Sequence, residues 1–390
     1  MDCEYALHML AGETIKGRLK PIRLAEMNQQ REVGRSAGKG LALYVHIPFC
    51  EQVCSFCAFH RTTASPEKIE GYIGPFSKHL DTVLPQVGRG KITSVYFGGG
   101  TSGLLTLGQA DQLLANVRQN VETNGARITF ELHPKNATEN HVLGLLALGV
   151  SRLSLGVQNL SDQERQGLDR NITSAQQEVQ ILQNLNQIGV PYNIDLMFGT
   201  PNQTQQSLEN TLIRVVEEVN PPEITLFQYV NAYGARSRNL INQGVMRRPG
   251  LHERHQMYDM ARNYLVTCGY NQTGTYGFSR EKDAPQRKLM NNGVDFMGLG
   301  PRVYSRIGNI FAMNNARVGD FLSGQGKTEN YYGLRVPVKA ETFIGKTLVF
   351  LAERRTNTTT KSKLNTWRSE GITQVYSVMY YLLNQPSLSK

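Results

Sequence analysis

Short runs of apolar, β-branched and aromatic residues recur along the chain and predict six β-strands. Longer segments with helical spacing of apolar positions separate them, such as Leu105–Val121 and Ala175–Ile188. Strands that alternate with helices form βαβ units, whose right-handed crossovers produce a parallel sheet. The predicted strands are Leu43–Ile47, Ser94–Phe97, Arg127–Leu132, Arg152–Val157, Asn193–Phe198 and Ile224–Val230.

This pattern predicts an α/β fold. Six strands in this order fit a partial (β/α)6 barrel of the TIM-like kind, and a doubly wound open sheet is the alternative. Both architectures place their chemistry at the carboxyl ends of the strands. Beyond residue 245 the rhythm loosens, with a helix at about 252–268 and a Gly-rich stretch, GLGP, at 298–301.

Breaks in this pattern divide the chain into three segments. Residues 1–40 form a polar N-terminal extension that ends in the flexible stretch Ser36–Gly40. Residues 41–245 form the core domain, and Pro249-Gly250 marks the boundary that follows. Residues 246–390 are expected to form a smaller C-terminal domain.

Composition narrows the class of protein. Apolar residues make up 40% and charged residues 19% of the 390 positions, as in a folded globular protein. Lys and Arg exceed Asp and Glu by 42 to 32, and the resulting charge of +10 suits an anionic cofactor or an acidic partner. A nucleic-acid function is not expected, because no basic patch is interleaved with aromatic residues. No apolar run approaches a membrane span, no secretory signal is recognisable, and five cysteines are too few for a disulfide framework, so we expect a cytoplasmic protein.

Three of the five cysteines lie within eight residues, as Cys50-x3-Cys54-x2-Cys57, directly after the first predicted strand. Three thiolates suit a [4Fe–4S] cluster in which one iron stays open to a substrate or cofactor. Two alternatives remain open: three buried, inert cysteines, or a zinc site completed by His46 or His60. The next predicted strand is followed by Gly98-Gly99-Gly100-Thr101, where glycines let backbone N–H groups approach a polar ligand closely.

Several stretches together resemble the radical SAM superfamily, and within it the group related to oxygen-independent coproporphyrinogen III dehydrogenase. The resemblance covers about 40–245 and continues more weakly to about 325. It implies a [4Fe–4S] cluster on Cys50, Cys54 and Cys57, which cleaves S-adenosylmethionine to a 5′-deoxyadenosyl radical. The matching stretches are YVHIPFCEQVCSFCAF (44–59), VYFGGGTSGLL (95–105), FELHP (130–134), GVSRLSLGVQNLSDQERQGLDR (149–170) and NIDLMFGTPNQT (193–204).

The same resemblance implies the residues that bind S-adenosylmethionine. Phe56 lines the nucleoside, Gly99, Gly100 and Thr101 hold the methionyl part, and Tyr44 and Glu131 lie near the same molecule. Several relatives bind a second molecule, so one or two are expected here. The positions that match the second site are Gln158, Arg170 and Asp195. Other roles remain open for three of these side chains: a surface or salt-bridged carboxylate for Glu131, a helix cap for Asp195 and core packing for Tyr44.

The resemblance leaves several substrates open. The chaperone branch carries a histidine that the stretch 287–306 lacks, and the coproporphyrinogen enzymes carry a further cysteine where this chain has Phe59. The segments CSFCAFH, GFSREKD…MNNGVDFMGLG and MNN (313–315) look most like the methyltransferases that open haem. A methyltransferase acting on haem or another tetrapyrrole is therefore the preferred hypothesis. A haem chaperone, a coproporphyrinogen dehydrogenase and a methylase of a natural product or quinone are the alternatives.

Two further expectations concern partners. A reduced flavodoxin or ferredoxin is the expected electron donor. An arginine group at 236–254 (Arg236, Arg238, Arg247, Arg248 and Arg254) could bind substrate carboxylates, but a solvated basic face is the preferred interpretation.

Overall fold

A computed structural model describes residues 20–33, 40–57, 59–87, 91–231, 235–274, 276–281, 295–324 and 331–335. Most of the N-terminal extension and much of the segment 246–390 lie outside these ranges. They include residues 282–294, part of the stretch that was compared with the haem-opening methyltransferases. The boundaries at 40 and 245 therefore stay predictions.

Helices and strands alternate along most of the described chain. The strands are β1 (Lys20–Ile22), β2 (Leu41–Ile47), β3 (Phe49–Cys50), β4 (Thr62–Thr63), β5 (Ile92–Gly99), β6 (Arg127–Leu132), β7 (Arg152–Gln158), β8 (Tyr192–Phe198), β9 (Glu223–Gln228), β10 (Asn271–Gln272), β11 (Gly277–Ser279), β12 (Asp295–Leu299), β13 (Tyr304–Ile307), β14 (Ile310–Asn314) and β15 (Tyr331–Arg335). The α-helices are α1 (Leu24–Val33), α2 (Pro66–Val87), α3 (Leu107–Asn120), α4 (Glu139–Ala147), α5 (Asp162–Gly167), α6 (Ala175–Ile188), α7 (Gln205–Arg214), α8 (Arg236–Asn242), α9 (Leu251–Thr267) and α10 (Val318–Leu322).

Thirteen of the described strands form one sheet, in the order β1-β15-β14-β13-β12-β2-β5-β6-β7-β8-β9-β11-β10. The six predicted strands are β2 and β5 to β9, and they pair in parallel in chain order. The α/β prediction is thus confirmed. A seventh parallel strand, β12, pairs with β2, and the antiparallel strands β13 to β15 extend the sheet beyond it.

Local sequence signals explain where the outer helices begin and end. Thr106, Ser174 and Thr204 form capping boxes at the starts of α3, α6 and α7, each accepting a hydrogen bond from the backbone N–H three residues on. Gly189, with a left-handed φ of 76°, ends α6. The apolar faces of these helices bury Leu, Val and Ala side chains in one hydrophobic core with the sheet.

The inner face of the parallel strands carries aromatic and polar side chains. Tyr44 of β2 stacks on Tyr96 of β5 with ring centroids 5.8 Å apart. On β7 and β8, the Ser154 hydroxyl donates to Asp195 Oδ2 at 3.1 Å, and the Asn193 amide donates to Asp195 Oδ1 at 2.7 Å. Since side chains alternate between faces along a strand, the apolar core lies on the other face. The polar face leads to the carboxyl edge of the strands, where the cysteines lie.

Candidate active site

The loop between β2 and α2 carries all three clustered cysteines. The short strands β3 and β4 pair and close it, with the Thr62 N–H donating to Pro48 O at 2.7 Å and the Ala64 N–H to Cys50 O at 2.9 Å. Ser55 ties the loop to its surroundings: its N–H donates to Leu168 O at 3.0 Å, and its carbonyl accepts from the Ser237 N–H at 2.9 Å. We call residues 48–65 the cysteine loop. Its shape is held by backbone hydrogen bonds.

The three thiols lie close enough to influence one another. The pKa of Cys50 is raised to about 12, mainly by burial and also by the neighbouring Cys57 and Cys54, whereas Arg61 and a hydrogen bond with Thr101 act in the opposite direction. Burial also raises the pKa of Cys57. Buried thiols of this kind become thiolates when a cationic group binds them, as the irons of a cluster do. The donor set therefore fits a [4Fe–4S] cluster.

The zinc alternative receives less support. In the part of the chain that the structure describes, no three His, Cys, Asp or Glu side chains are grouped so as to hold a single metal ion. His46 Nε2 donates to the carbonyl of His60 at 2.8 Å, and His60 Nε2 accepts from the Val318 N–H at 3.4 Å. Both imidazoles therefore hold the cysteine loop in place through Nε2. An iron–sulfur cluster does not require the three thiolates to meet at a single ion, because each thiolate binds its own iron.

The glycines at the carboxyl end of β5 bring that strand against the cysteine loop. The Gly100 N–H donates to Ile47 O at 2.8 Å and the Thr101 N–H to Phe49 O at 2.7 Å. A side chain on Gly100 would overlap the Phe49 backbone, and one on Gly99, whose φ is +121°, would overlap the His46 ring. These N–H groups have protein partners, so the glycines act here through close packing. Their contact with a methionyl group stays a prediction.

Glu131 lies at the centre of the expected cofactor site. Its Oε2 accepts from the Gly99 N–H at 3.3 Å. Burial raises its pKa to about 7, the Asp195 charge acts in the same direction, and the Gly99 hydrogen bond and Arg170 oppose the rise. Burial is the main cause of the raised pKa of Tyr44, and the charges of Glu131 and Cys57 raise this pKa as well. Tyr44 therefore lies within electrostatic reach of Glu131 and Cys57, and the contact of Tyr44 and Glu131 with S-adenosylmethionine stays a prediction.

The raised pKa of Glu131 predicts a pH-dependent stability. A carboxyl group with a folded-state pKa near 7 and an unfolded-state pKa near 4.5 binds its proton more tightly in the folded protein. Its contribution is fully present below pH 4.5 and is lost as the pH rises through 7. The unfolding free energy of the apoprotein, minus that of Glu131→Gln, should fall by about 2 kcal/mol across this range.

Urea unfolding of both apoproteins at several pH values tests this. The difference between the two proteins cancels the titration of groups that do not interact with Glu131, such as the buried His79. A difference that stays flat from pH 4.5 to 7, or that rises, would contradict a raised pKa.

The three residues predicted for a second molecule come together beside Gly156. Gly156 pairs with Asp195 across β7 and β8, and a register shift follows at Gln158, which has a left-handed φ of 68°. A Cβ added to Gly156 would lie 3.0 Å from Gln158 Nε2 and 3.7 Å from Arg170 Nη2. Strained backbone and bulges of this kind are frequent next to functional sites.

Arg170 links this group to the cysteine loop. It is buried, donates to the carbonyls of Gly156 and Val157, and places Nη1 3.8 Å from Cys54 Sγ. One guanidinium thus joins the two halves of the predicted site. Phe56 is half-buried in the same loop, and its contact with a nucleoside stays a prediction.

The sequence interpretation missed several polar residues of the inner face. Tyr96, Ser154 and Asn193 connect Tyr44 and Asp195 in one layer. Their signal was the period-2 alternation along β5, β7 and β8, which placed them on the same face as Tyr44, Glu131 and Asp195.

Comparison with known proteins gives the family. Residues 44–215 match the model of the Radical SAM superfamily. The chain contains a radical SAM superfamily domain. This domain spans β2 to α7 and holds the whole site described above, including the three cysteines, Glu131 and Arg170.

Curated relatives extend the similarity past this domain. Oxygen-independent coproporphyrinogen III oxidase of Escherichia coli K12 is 28% identical over 310 residues, which cover 74% of this chain and 66% of that protein. Heme chaperone HemW of Buchnera aphidicola is 25% identical over 301 residues, covering 73% and 76%. The chain thus spans about two thirds of the length of the oxidase.

A solved structure confirms the fold. The coproporphyrinogen III oxidase (HemN) of Escherichia coli, a radical SAM enzyme, superposes with a TM-score of 0.66 at 24% identity, over 80% of this chain and 74% of that one. This superposition confirms the predicted α/β fold, and the match of residues 44–215 confirms the prediction of a radical SAM domain. A separate smaller C-terminal domain stays a prediction.

The same comparisons do not support the preference for methyl transfer. The curated relatives are named as oxidases and a haem chaperone, which were the alternatives to that preference. A search of the described helices finds none long and apolar enough to cross a membrane.

Proposed function

We propose that this protein is a radical SAM enzyme that acts on a tetrapyrrole by abstracting hydrogen from it, and that it binds its cluster through Cys50, Cys54 and Cys57. The observation that carries the proposal is the meeting of the three clustered thiols, of which Cys50 is buried, with Glu131 and Arg170 at one edge of the sheet. When bound, the cluster supplies the electron that cleaves S-adenosylmethionine. The tetrapyrrole as substrate class rests on the relatives, which include oxidases of coproporphyrinogen III and a haem chaperone.

The chain's own residues then bind, orient and exclude water. Glu131 is positioned to accept hydrogen bonds from the hydroxyl or amino groups of a ligand. Because its pKa is raised to about 7, such hydrogen bonds would shift it towards the ionised form. Tyr44 and Tyr96 form an aromatic wall beside it. Gln158, Arg170 and Asp195 supply donors and acceptors for a second S-adenosylmethionine, or for polar groups of the substrate. Holding the reacting groups in this register is how the protein would accelerate the chemistry.

An acidic electron carrier, such as a reduced flavodoxin or ferredoxin, is the proposed donor. The net charge of +10 favours association with an acidic protein through long-range attraction.

One anaerobic experiment tests the proposed reaction. Reconstituted protein is incubated with reductant and S-adenosylmethionine, and with coproporphyrinogen III, haem or neither. Deoxyadenosine and S-adenosylhomocysteine are then measured by mass spectrometry. We expect deoxyadenosine to rise at least tenfold with a tetrapyrrole present, without S-adenosylhomocysteine.

The other products separate the alternatives. S-adenosylhomocysteine formed together with deoxyadenosine would restore the methyltransferase hypothesis. Haem that stays bound and unchanged, without deoxyadenosine, would indicate a chaperone. Deoxyadenosine formed at one slow rate in all three reactions would reject the tetrapyrrole as substrate.

A further inference from the structure

Three arginines converge beside the cysteine loop, at the carboxyl end of β12. Arg61 follows the last cysteine by four residues, Arg302 follows β12, and Arg317 precedes α10. Two hydrogen bonds bring these segments together: His60 Nε2 accepts from the Val318 N–H at 3.4 Å, and the Arg302 N–H donates to Ala316 O at 3.2 Å. We call Arg61, Arg302 and Arg317 the arginine triad.

The triad concentrates positive charge at one point. Burial is the main cause of the low pKa of His60, about 3, and the charges of Arg302, Arg317 and Arg61 contribute to it, so His60 is neutral and adds no charge of its own. Within the described ranges, no carboxylate forms an ion pair with the guanidinium group of Arg61 or Arg317, although Asp320 Oδ2 accepts a hydrogen bond from the Arg317 backbone N–H at 2.6 Å. Arginine side chains grouped at one edge of a site favour an anionic ligand there.

The arginines singled out from the sequence behave differently. Arg236 pairs with Asp169 at 2.7 Å, Arg247 pairs with Glu253, and Arg238 donates to Asn231 O. The contacts of Arg236 and Arg247 fit the preferred interpretation of that group as a solvated basic face, whereas Arg254 is buried beside Gly199 and departs from it.

The backbone at Arg302 supplies an independent observation. Arg302 has a left-handed φ of 54°, a conformation that costs free energy in any residue with a Cβ, and its side chain is buried. A glycine would suit this turn better, as Gly300 does two residues earlier with a φ of +114°. An arginine held under strain at the edge of a site indicates that its side chain has a use there.

The triad also adjoins the expected cluster site. Arg61 belongs to the cysteine loop itself: its Nη1 donates to the Phe59 carbonyl at 2.8 Å, and in the same loop the Cys50 carbonyl accepts from the Ala64 N–H at 2.9 Å. A ligand held by the triad would therefore lie at the mouth of the cofactor site. Guanidinium groups match carboxylates in a two-point, fork-like geometry, and several of them suit a ligand that carries several carboxylates.

We propose that Arg61, Arg302 and Arg317 bind carboxylate side chains of the tetrapyrrole and so orient the macrocycle over the cysteine loop. This inference rests on the proposed function, because it names the part of that substrate which the protein recognises. It also predicts selectivity for tetrapyrroles with free carboxylates over the same macrocycle with those groups esterified.

Porphyrin binding tests the triad. Coproporphyrin III, an unreactive oxidised analogue with four carboxylates, and its tetramethyl ester are titrated into reconstituted protein, and fluorescence is measured. The variants are Arg61→Gln, Arg317→Gln and Arg302→Gly, the last chosen because glycine keeps the left-handed turn. Arg262→Gln is the matched control, since Arg262 lies on α9 and donates to Gln272 at 2.8 Å. Binding of S-adenosylmethionine is measured in parallel.

Each triad variant should weaken coproporphyrin III binding about tenfold or more, as expected for the loss of a charge-assisted hydrogen bond. Ester binding, S-adenosylmethionine binding and the control should stay within about twofold of the wild type. Two results would overturn the inference alone: coproporphyrin III binding unchanged in all three variants, or S-adenosylmethionine binding lost in parallel, which would assign the triad to the cofactor carboxylate. Wild-type protein that binds neither porphyrin would reject the proposed substrate class, and the inference with it.

Discussion

Replacement of Cys54 by alanine is expected to abolish assembly of the iron–sulfur cluster. A cluster held by three cysteines loses a third of its protein ligands, and the remaining two belong to a loop whose shape the cluster itself should stabilise. Cys54 is the cysteine that also contacts Arg170, at 3.8 Å, so its loss removes the link between the cysteine loop and the bulge of β7. Iron and sulfide per protein chain, together with visible absorbance after anaerobic reconstitution, measure the effect.

Cys268→Ala is the matched control for this change. Cys268 caps the end of α9, in a different part of the chain, and should leave the iron content at the wild-type level. Circular dichroism of both apoproteins checks that each is folded. A Cys54→Ala protein with a full complement of iron, or an equal loss in both variants, would reject the assignment of the three ligands.

The radical SAM site here depends on contacts between distant parts of the chain. Glu131 on β6 accepts from Gly99 on β5, Arg170 reaches from the loop after α5 to Cys54, and His60 bonds to Val318. Each contact crosses between neighbouring strands or loops at the same edge of the sheet. Loss of any one of these contacts is therefore expected to displace the cysteines, even though few of the residues involved are close to the cysteines in the sequence.

The sequence predicted those features whose signal is local. Short apolar runs predicted the strands β2 and β5 to β9, and the predicted boundaries agree with the observed ones within about two residues. Cysteine spacing and the later glycines pointed to the candidate site, because each of the two patterns is contained within a few residues of the chain. The segment Ala175–Ile188 was predicted to its exact ends, owing to Ser174 as N-cap and Gly189 as C-cap.

Features that depend on long-range pairing were not predicted. Strand β12 pairs in parallel with β2 although about 250 residues separate them along the chain. The hydrophobic pattern of a strand does not indicate which other strand it pairs with. The same holds for the triad, because Arg61 and Arg302 meet only when β12 lies beside β2. The sequence also could not show that the N–H groups of Gly99 and Gly100 already have protein acceptors, since that depends on the register of β5 against β2.

Gly100→Ala should distort the cysteine loop and sharply reduce cluster binding. The new Cβ would lie 2.8 Å from the carbonyl carbon of Phe49 and 2.8 Å from its backbone nitrogen, and nearer still to its oxygen. Because these are backbone atoms, a rotamer change cannot relieve the clash. The cysteine loop must therefore move away from β5, which breaks the Gly100 and Thr101 hydrogen bonds to Ile47 and Phe49. We expect the apoprotein to lose about 2 kcal/mol of unfolding free energy, as is typical of overpacking, and to retain little iron on reconstitution.

Gly108→Ala offers a matched control for this substitution, because no atom lies within 4 Å of the Cβ added there on α3. It should bind iron as the wild type does and be as stable or more stable, since alanine favours helix over glycine. Urea unfolding and iron analysis of both variants separate a local clash from a general intolerance of glycine replacement. Full iron content and unchanged stability in Gly100→Ala would mean that the cysteine loop tolerates displacement from β5. The close packing of these two segments would then not be what holds Cys50 in place.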